Sequence, residues 1–202
     1  MEIRKNSVLM LSAPAVAAVL MGAMLVGGML PNTTDKFSEG LAATGYVTIS
    51  VVRDGNEIYH YEDHNQITET GIDFIVQQIA GSPSATATAQ WIALSDVSTG
   101  TTAIDDDDAT LTGELDNTNG LGRSQGALAY TSGTDDNNAE FTISETFTAT
   151  NAGDTNVQRA GLFTASTGGT MVAENSFSSV NLAAGDQLTI TWTIDLGVTG
   201  LD

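Results

Sequence analysis

From Val8 to Leu30 the chain reads VLMLSAPAVAAVLMGAMLVGGML, about 23 residues without a charge, long enough to cross a bilayer as a helix and too uniformly apolar for the core of a small soluble domain. Arg4 and Lys5 stand directly before this run, and the next basic residue is Lys36. By the positive-inside rule the N-terminus stays in the cytoplasm and the rest of the chain is carried across the membrane. Residues 1–30 are therefore read as an N-terminal hydrophobic helix serving as membrane anchor, filament-core helix or signal segment. The apolar run is longer than the usual signal-peptide core, and the nearest small-x-small triplet, Gly40-Leu41-Ala42, lies beyond a polar stretch, which favours retention. Small residues recur four apart at Ala18/Gly22 and Ala23/Gly27, a spacing that lets helix backbones approach closely, although alanine and glycine are common in any such segment.

Residues 31–44 (PNTTDKFSEGLAAT) are polar with a single aromatic and read as a linker. Asn32-Thr33-Thr34 is a glycosylation sequon in an exported position. The rest, 45–202, is one domain's worth of chain. The whole sequence holds 25 acidic residues against 6 basic ones, a formal charge of −19. Beyond the apolar run only Lys36, Arg53, Arg123 and Arg159 are basic. Such a surface repels phosphate backbones and anionic membranes, so no nucleic-acid partner is expected, and contact with the membrane is confined to residues 8–30. Cysteine is absent, which removes disulfides, thiolate metal sites and cysteine nucleophiles.

Alternation of period two dominates the domain. Val47, Ile49 and Val51 alternate with Thr48 and Ser50, and after Asp54-Gly55 a second run resumes at Ile58 to Tyr61, a hairpin signal. Phe141, Ile143, Phe147 and Ala149 oppose Thr142, Ser144, Thr146 and Thr148, with Glu145 the one exception. Leu188, Ile190, Trp192, Ile194 and Leu196 alternate with Thr189, Thr191, Thr193 and Asp195. Trp91–Leu94, Ser124–Tyr130, Gln158–Phe163 and Met171–Phe177 add further strands, giving about eight in all between turns rich in Gly, Asn, Asp and Ser. One helix is predicted over Thr70–Ala80, with Thr70 and Asp73 at its start, an apolar stripe of Ile72, Ile75, Val76 and Ile79, and Gly81 and Pro83 at its end. The fold class is mainly β: an antiparallel sandwich or jelly-roll-like domain with one short internal helix.

Two resemblances rest on these residues. The order of a short basic leader, a hydrophobic helix and a β-rich head resembles that of type IV pilin-like subunits, including archaeal ones. The chain departs from that pattern at Lys5-Asn6-Ser7, where a basic-glycine pair is the rule, and at Pro14. Trp91-Ile92-Ala93-Leu94-Ser95, Gly113-Glu114-Leu115, Gly120-Leu121-Gly122-Arg123, Ala160-Gly161-Leu162-Phe163, Gly168 to Glu174 and Gly185 to Ile194 resemble, over roughly 45 to 197, a loose group of β-sandwich proteins of tailed-phage structural modules and archaeal exported proteins. That resemblance implies a building or surface role without catalysis.

Candidate chemical groups are few. His60, Glu62, Asp63 and His64 contain both histidines of the chain; His60 and His64 with the neighbouring carboxylates offer zinc ligands if the chain turns there. The plainer reading places them on the exposed side of a hairpin and its exit loop, His64 beyond the end of the strand. Asp105, Asp106, Asp107 and Asp108 form a run of carboxylates, with Asp96, Glu114 and Asp116 nearby, that offers calcium an oxygen-rich loop; without a glycine inside the run or a glutamate at the EF-hand offset, it reads first as a solvated acidic loop. Asp135-Asp136 is a hairpin turn, and Gly168-Gly169 is a turn. Neither histidine has a Gly-x-Ser-x-Gly elbow to serve, and no phosphate-binding glycine loop is present. Arg123 and Arg159 pair with nearby carboxylates or, on the sharper reading, with those of an adjacent subunit. These observations point to a non-enzymatic structural subunit of a filament, surface layer or virion, secreted or held at the cell surface. It needs no cofactor other than an optional calcium ion and has copies of itself as its partner. The alternatives are a surface-displayed binding module, or adhesin, and more distantly a metal-dependent hydrolase.

Overall fold

The structure, a computed structural model, describes residues 40–82, 87–97, 104–131, 139–150 and 155–199. The apolar run 8–30, the sequon at Asn32, Pro83 and the Asp135-Asp136 turn lie outside these residues. Among the described residues, no helix is long and apolar enough to cross a membrane.

The described chain forms two antiparallel sheets and one helix. Its elements are β1 (Gly40–Arg53), β2 (Asn56–His64), β3 (Gln66–Ile67), α1 (Glu69–Ile79), β4 (Trp91–Ser95), a 3-10 turn (Asn117–Asn119), β5 (Ser124–Gln125), β6 (Ala127–Thr131), β7 (Ala139–Thr148), β8 (Thr155–Phe163), β9 (Met171–Leu182) and β10 (Gln187–Thr199). The first sheet has the order β2-β1-β10-β7-β6 and the second β3-β9-β8-β4-β5. β1 begins at Gly40, inside the stretch 31–44 that reads as linker; backbone pairing with β10 from Gly40↔Thr199 onward extends the strand past the point where apolar alternation stops.

Alternation fixes which side of each strand is inside. Val47, Ile49 and Val51 of β1 and Leu188, Ile190 and Trp192 of β10 are buried and meet Ile92, Leu94, Leu162, Phe177 and Val180 from the second sheet in one core. The opposite side of the first sheet is hydroxyl-lined: Ser144 pairs with Thr191 and Thr146 with Thr189, each at 2.8 Å between oxygens, the cross-strand contacts that favour threonine on a pleated surface. Glu145, the exception in β7, lies opposite Ile190 and accepts a 2.7 Å bond from Ser124 of β5, which ties one sheet to the other.

Asp54 and Gly55 both have positive φ (52° and 79°), the tight turn the sequence predicts between β1 and β2. Two features depart from expectation. Ser124–Tyr130 is not one strand but two: the chain leaves the second sheet after β5 and joins the first as β6. Gly126 is the hinge, since a Cβ there would fall 2.6 Å from the Ile143 side chain. The helix begins one turn position earlier than Thr70. Thr68 is the cap, its hydroxyl accepting from the Gly71 amide at 3.0 Å, while Thr70 donates to the Met171 carbonyl at 2.9 Å.

β4, β8 and β9 show runs of consecutive buried residues, because the second sheet is covered on both sides. Leu111 packs on its outer face with Ala93, Phe163 and Met171. Arg123 stacks over the Phe163 ring at 3.6 Å and grips Glu114 through two bonds of 2.8 and 2.6 Å.

Candidate functional site

Three places on this frame carry the polar and apolar groups available for function. The first is the outer side of β2. The strand continues to His64, so His64 does not lie past its end: His60, Glu62 and His64 all face outward, opposite Ser50, Thr48 and Tyr46. At about 3.3 Å per residue the two histidines stand roughly 13 Å apart along the strand. Each has its own neighbour: His60 Nδ1 lies 3.1 Å from Glu57 Oε1, and the His64 ring is tilted against Tyr46 with centroids 4.3 Å apart. The structure does not bring them together. Glu57 is held below the ordinary glutamate range by hydrogen bonds from Ser50 and His60.

The second is the acidic loop and the strand beneath it. Asp105, Asp106 and Asp107 are exposed, whereas Asp108 is half-buried. The loop closes on itself, with the Asp108 amide donating to the Asp105 carbonyl at 3.2 Å and the Asp105 amide to Asp108 Oδ2 at 3.2 Å. It is fastened to the helix by the Glu69 amide, 2.6 Å from the Asp106 carbonyl. A hydrogen bond with Asp105 raises the Asp106 carboxyl above its ordinary range.

Asp108 meets Glu174 of β9, a residue the sequence reading passed over. Glu174 is only 1% exposed. Its carboxyl is pushed up to about 7 by burial first and by the hydrogen bond with Asp108 second, with Arg159 pulling the other way. Beside it a polar cleft of about 300 Å³ is lined by Tyr61, Asp63, His64, Asn65, Gln66, Ile104, Glu174, Asn175 and Ser176. Tyr61 donates to Asp63 Oδ2 and lies 3.1 Å from the Ser176 carbonyl; burial and the Asp63 carboxylate push its phenol up to about 12. The available signal for Glu174 is its setting, the one charged residue of its strand, directly after the apolar Met171-Val172-Ala173. Among the described residues no three carboxylate or imidazole groups converge as a metal cluster.

The third is apolar. α1 is docked on β9 through Gly71, its one fully buried residue, with Thr68 and Thr70 alongside. The predicted stripe therefore does not face the core: Ile72, Val76 and Ile79 are 53%, 56% and 67% exposed. Between α1 and the edge of the first sheet runs a groove of about 410 Å³ lined by Phe74, Ile75, Ile79, Leu128, Tyr130, Phe141, Leu196 and the segment 87–90, without a charged residue. Its floor is continuous with the main core, since Phe74 and Phe141 pack against that cluster. Leu128 and Tyr130 of edge strand β6 remain 53% and 69% exposed. The other edge strand of the same sheet, β2, carries Glu57, His60, Glu62, Asp63 and His64, the charges that keep a sheet edge from pairing with another chain. β6, with the sequence ALAYT, has none.

No family model, curated protein or solved structure matches the chain.

Proposed function

We propose that the chain is a non-enzymatic structural subunit of an extracellular filament, surface layer or virion, carried outward behind its 8–30 segment and assembled from copies that meet at the groove between α1 and β6. The observation that carries this reading is an uncharged apolar face on a chain of net charge −19. Copies of one strongly negative molecule repel each other wherever carboxylates face carboxylates. They approach at least electrostatic cost where both surfaces lack charge. The exposed apolar side chains that line it are Ile79, Leu128 and Tyr130, each more than half exposed. Burying what remains of these three side chains contributes on the order of 3 kcal/mol before the cost of association, a modest contact of the kind that becomes secure when repeated along a polymer. The uncharged edge of β6 adds unpaired backbone groups that a neighbouring strand can satisfy.

Electron microscopy of the native protein recovered from the cell exterior tests this. Regular filaments, sheets or particles are the expected result. A uniformly dispersed monomer under native conditions would remove the proposal.

A further inference from the structure

β6 is the outermost strand of the first sheet and is bonded to β7 on one side only. All five of its residues are exposed, and among the described residues its outer row of amides and carbonyls has no backbone partner. Such a row is a template for a further strand. The other edges of the described sheets are poor templates: β2 carries Glu57, His60, Glu62, Asp63 and His64, and β3 and β5 are two residues long each. Among the described residues, β6 is the edge that is both uncharged and long enough to extend.

The sequence of the strand, ALAYT, fits a second copy of itself. Laid antiparallel about Ala129, it sets Ala129 opposite Ala129, Leu128 opposite Tyr130 and Ala127 opposite Thr131. Leu128 and Tyr130 stand across from Ile143 and Phe141 of β7 and line the apolar groove, so both Leu-Tyr pairs form on the groove side of the sheet. Cross-strand side-chain pairs are what stabilise a sheet, and these are apolar. On the other side Ala127, Ala129 and Thr131 are small and uncharged, so two chains of net charge −19 meet there without carboxylate facing carboxylate. We propose, resting on the assembly described above, that copies of the chain join β6 to β6, antiparallel and two-fold about Ala129, so that the first sheets of two copies continue as one sheet. The contact is isologous and closes as a pair. With only five residues to each strand, it forms where assembly holds copies at high effective concentration.

Single-cysteine variants of the full chain, which has no cysteine of its own, test the register by air oxidation on native cells and non-reducing electrophoresis. Opposite residues of an antiparallel pair have Cα atoms about 4.5–5.5 Å apart, within disulfide reach. Two residues at 127 are instead offset by four positions, roughly 13 Å along the strand. Ala129→Cys should therefore pass mostly into a disulfide-linked dimer and Ala127→Cys should stay monomeric, while co-expressed Ala127→Cys and Thr131→Cys chains link to each other. Ala127, Ala129 and Thr131 are all exposed, so these substitutions leave the core intact. A monomeric Ala129→Cys chain would overturn the pairing, as would Ala127→Cys linking equally well, the mark of a parallel or shifted register. Regular assemblies in which Ala129→Cys stays monomeric refute this pairing and leave the proposed function standing. Ala129→Cys dimers from a chain that never forms regular assemblies do the reverse.

Discussion

Replacing Gly71 by alanine should destabilise the domain, although the same change inside an ordinary exposed helix stabilises it. Alanine is favoured over glycine in a helix by up to about 1 kcal/mol, partly through a less free unfolded chain. At this position a Cβ would fall 2.1 Å from the Val172 carbonyl oxygen and 2.8 Å from the Val172 carbonyl carbon and Cα. These are β9 backbone atoms and have no rotamer to yield. The helix start is also fixed, by the Thr68 amide on that same carbonyl at 3.1 Å and by the Thr68 hydroxyl on the Gly71 amide at 3.0 Å. Relief of the overlap requires α1 to lift from β9, with an overpacking cost of about 1–3 kcal/mol and about 1 kcal/mol more for a lost hydrogen bond. The net loss is about 1–3 kcal/mol. In a domain of this size each kcal/mol moves the melting temperature by roughly 2–4 °C, so thermal unfolding followed by circular dichroism should show Gly71→Ala melting roughly 2–12 °C lower. A midpoint equal to or above wild type would refute the close docking of α1, and with it the reason Ile72, Val76 and Ile79 face outward.

Three further outcomes follow from the same contacts. Asp186 is buried and takes bonds from Arg53 Nε (2.8 Å), Arg53 Nη2 (2.6 Å) and the Ala183 amide (2.8 Å); the Arg53 bond is the main cause of its carboxyl lying below the ordinary value of 3.8. Its contribution is therefore present above pH 3.8 and lost as the pH falls through the lower folded value. Asp186→Asn should lower the urea-unfolding free energy by about 2–4 kcal/mol at pH 7, with the difference from wild type shrinking in strong acid; a gap that widens in acid contradicts this. Tyr61→Phe should cost about 0.5–1.5 kcal/mol and delete the phenol that ionises at about 12 from an ultraviolet titration of the folded protein; an unchanged high-pH step contradicts the burial argument. Gly120→Ala places a Cβ at φ +73° and 2.3 Å from the Thr148 carbonyl oxygen, so it should lower the melting temperature by several degrees, corresponding to about 1–3 kcal/mol; no change would mean that the 117–120 turn is free to move.

Much of the sandwich was legible because period-two alternation reports which side of a strand meets the core. β1, β7 and β10 each bury one side and solvate the other, and the Asp54-Gly55 turn announces positive φ chemically. Reading fails where a different contact overrides the local pattern. α1 carries an apolar stripe at helical spacing, yet it is oriented by Gly71 and two threonines against the β9 backbone, a fit that hydropathy does not register. β3 is too short to show a period, and its pairing, Gln66↔Glu174 and Ile67↔Ala173, depends on a strand more than a hundred residues away. The switch of sheets at Gly126 is equally non-local. Of the candidate site residues, Asp108 was visible as part of an acidic run, but its contact with Glu174 comes only through the chain's path over β9, which one sequence does not encode as a local motif.

The most direct measurement of the central claim uses the absence of cysteine in the chain. A single Leu128→Cys variant, on the uncharged edge strand, is compared with a single Ser50→Cys variant on the polar outer side of the first sheet, each treated with a short thiol cross-linker while assembled on native cells. Assembly through the groove predicts covalent dimers of the Leu128→Cys chain and none of the Ser50→Cys chain. Dimers from Ser50→Cys alone, or from neither, would contradict it.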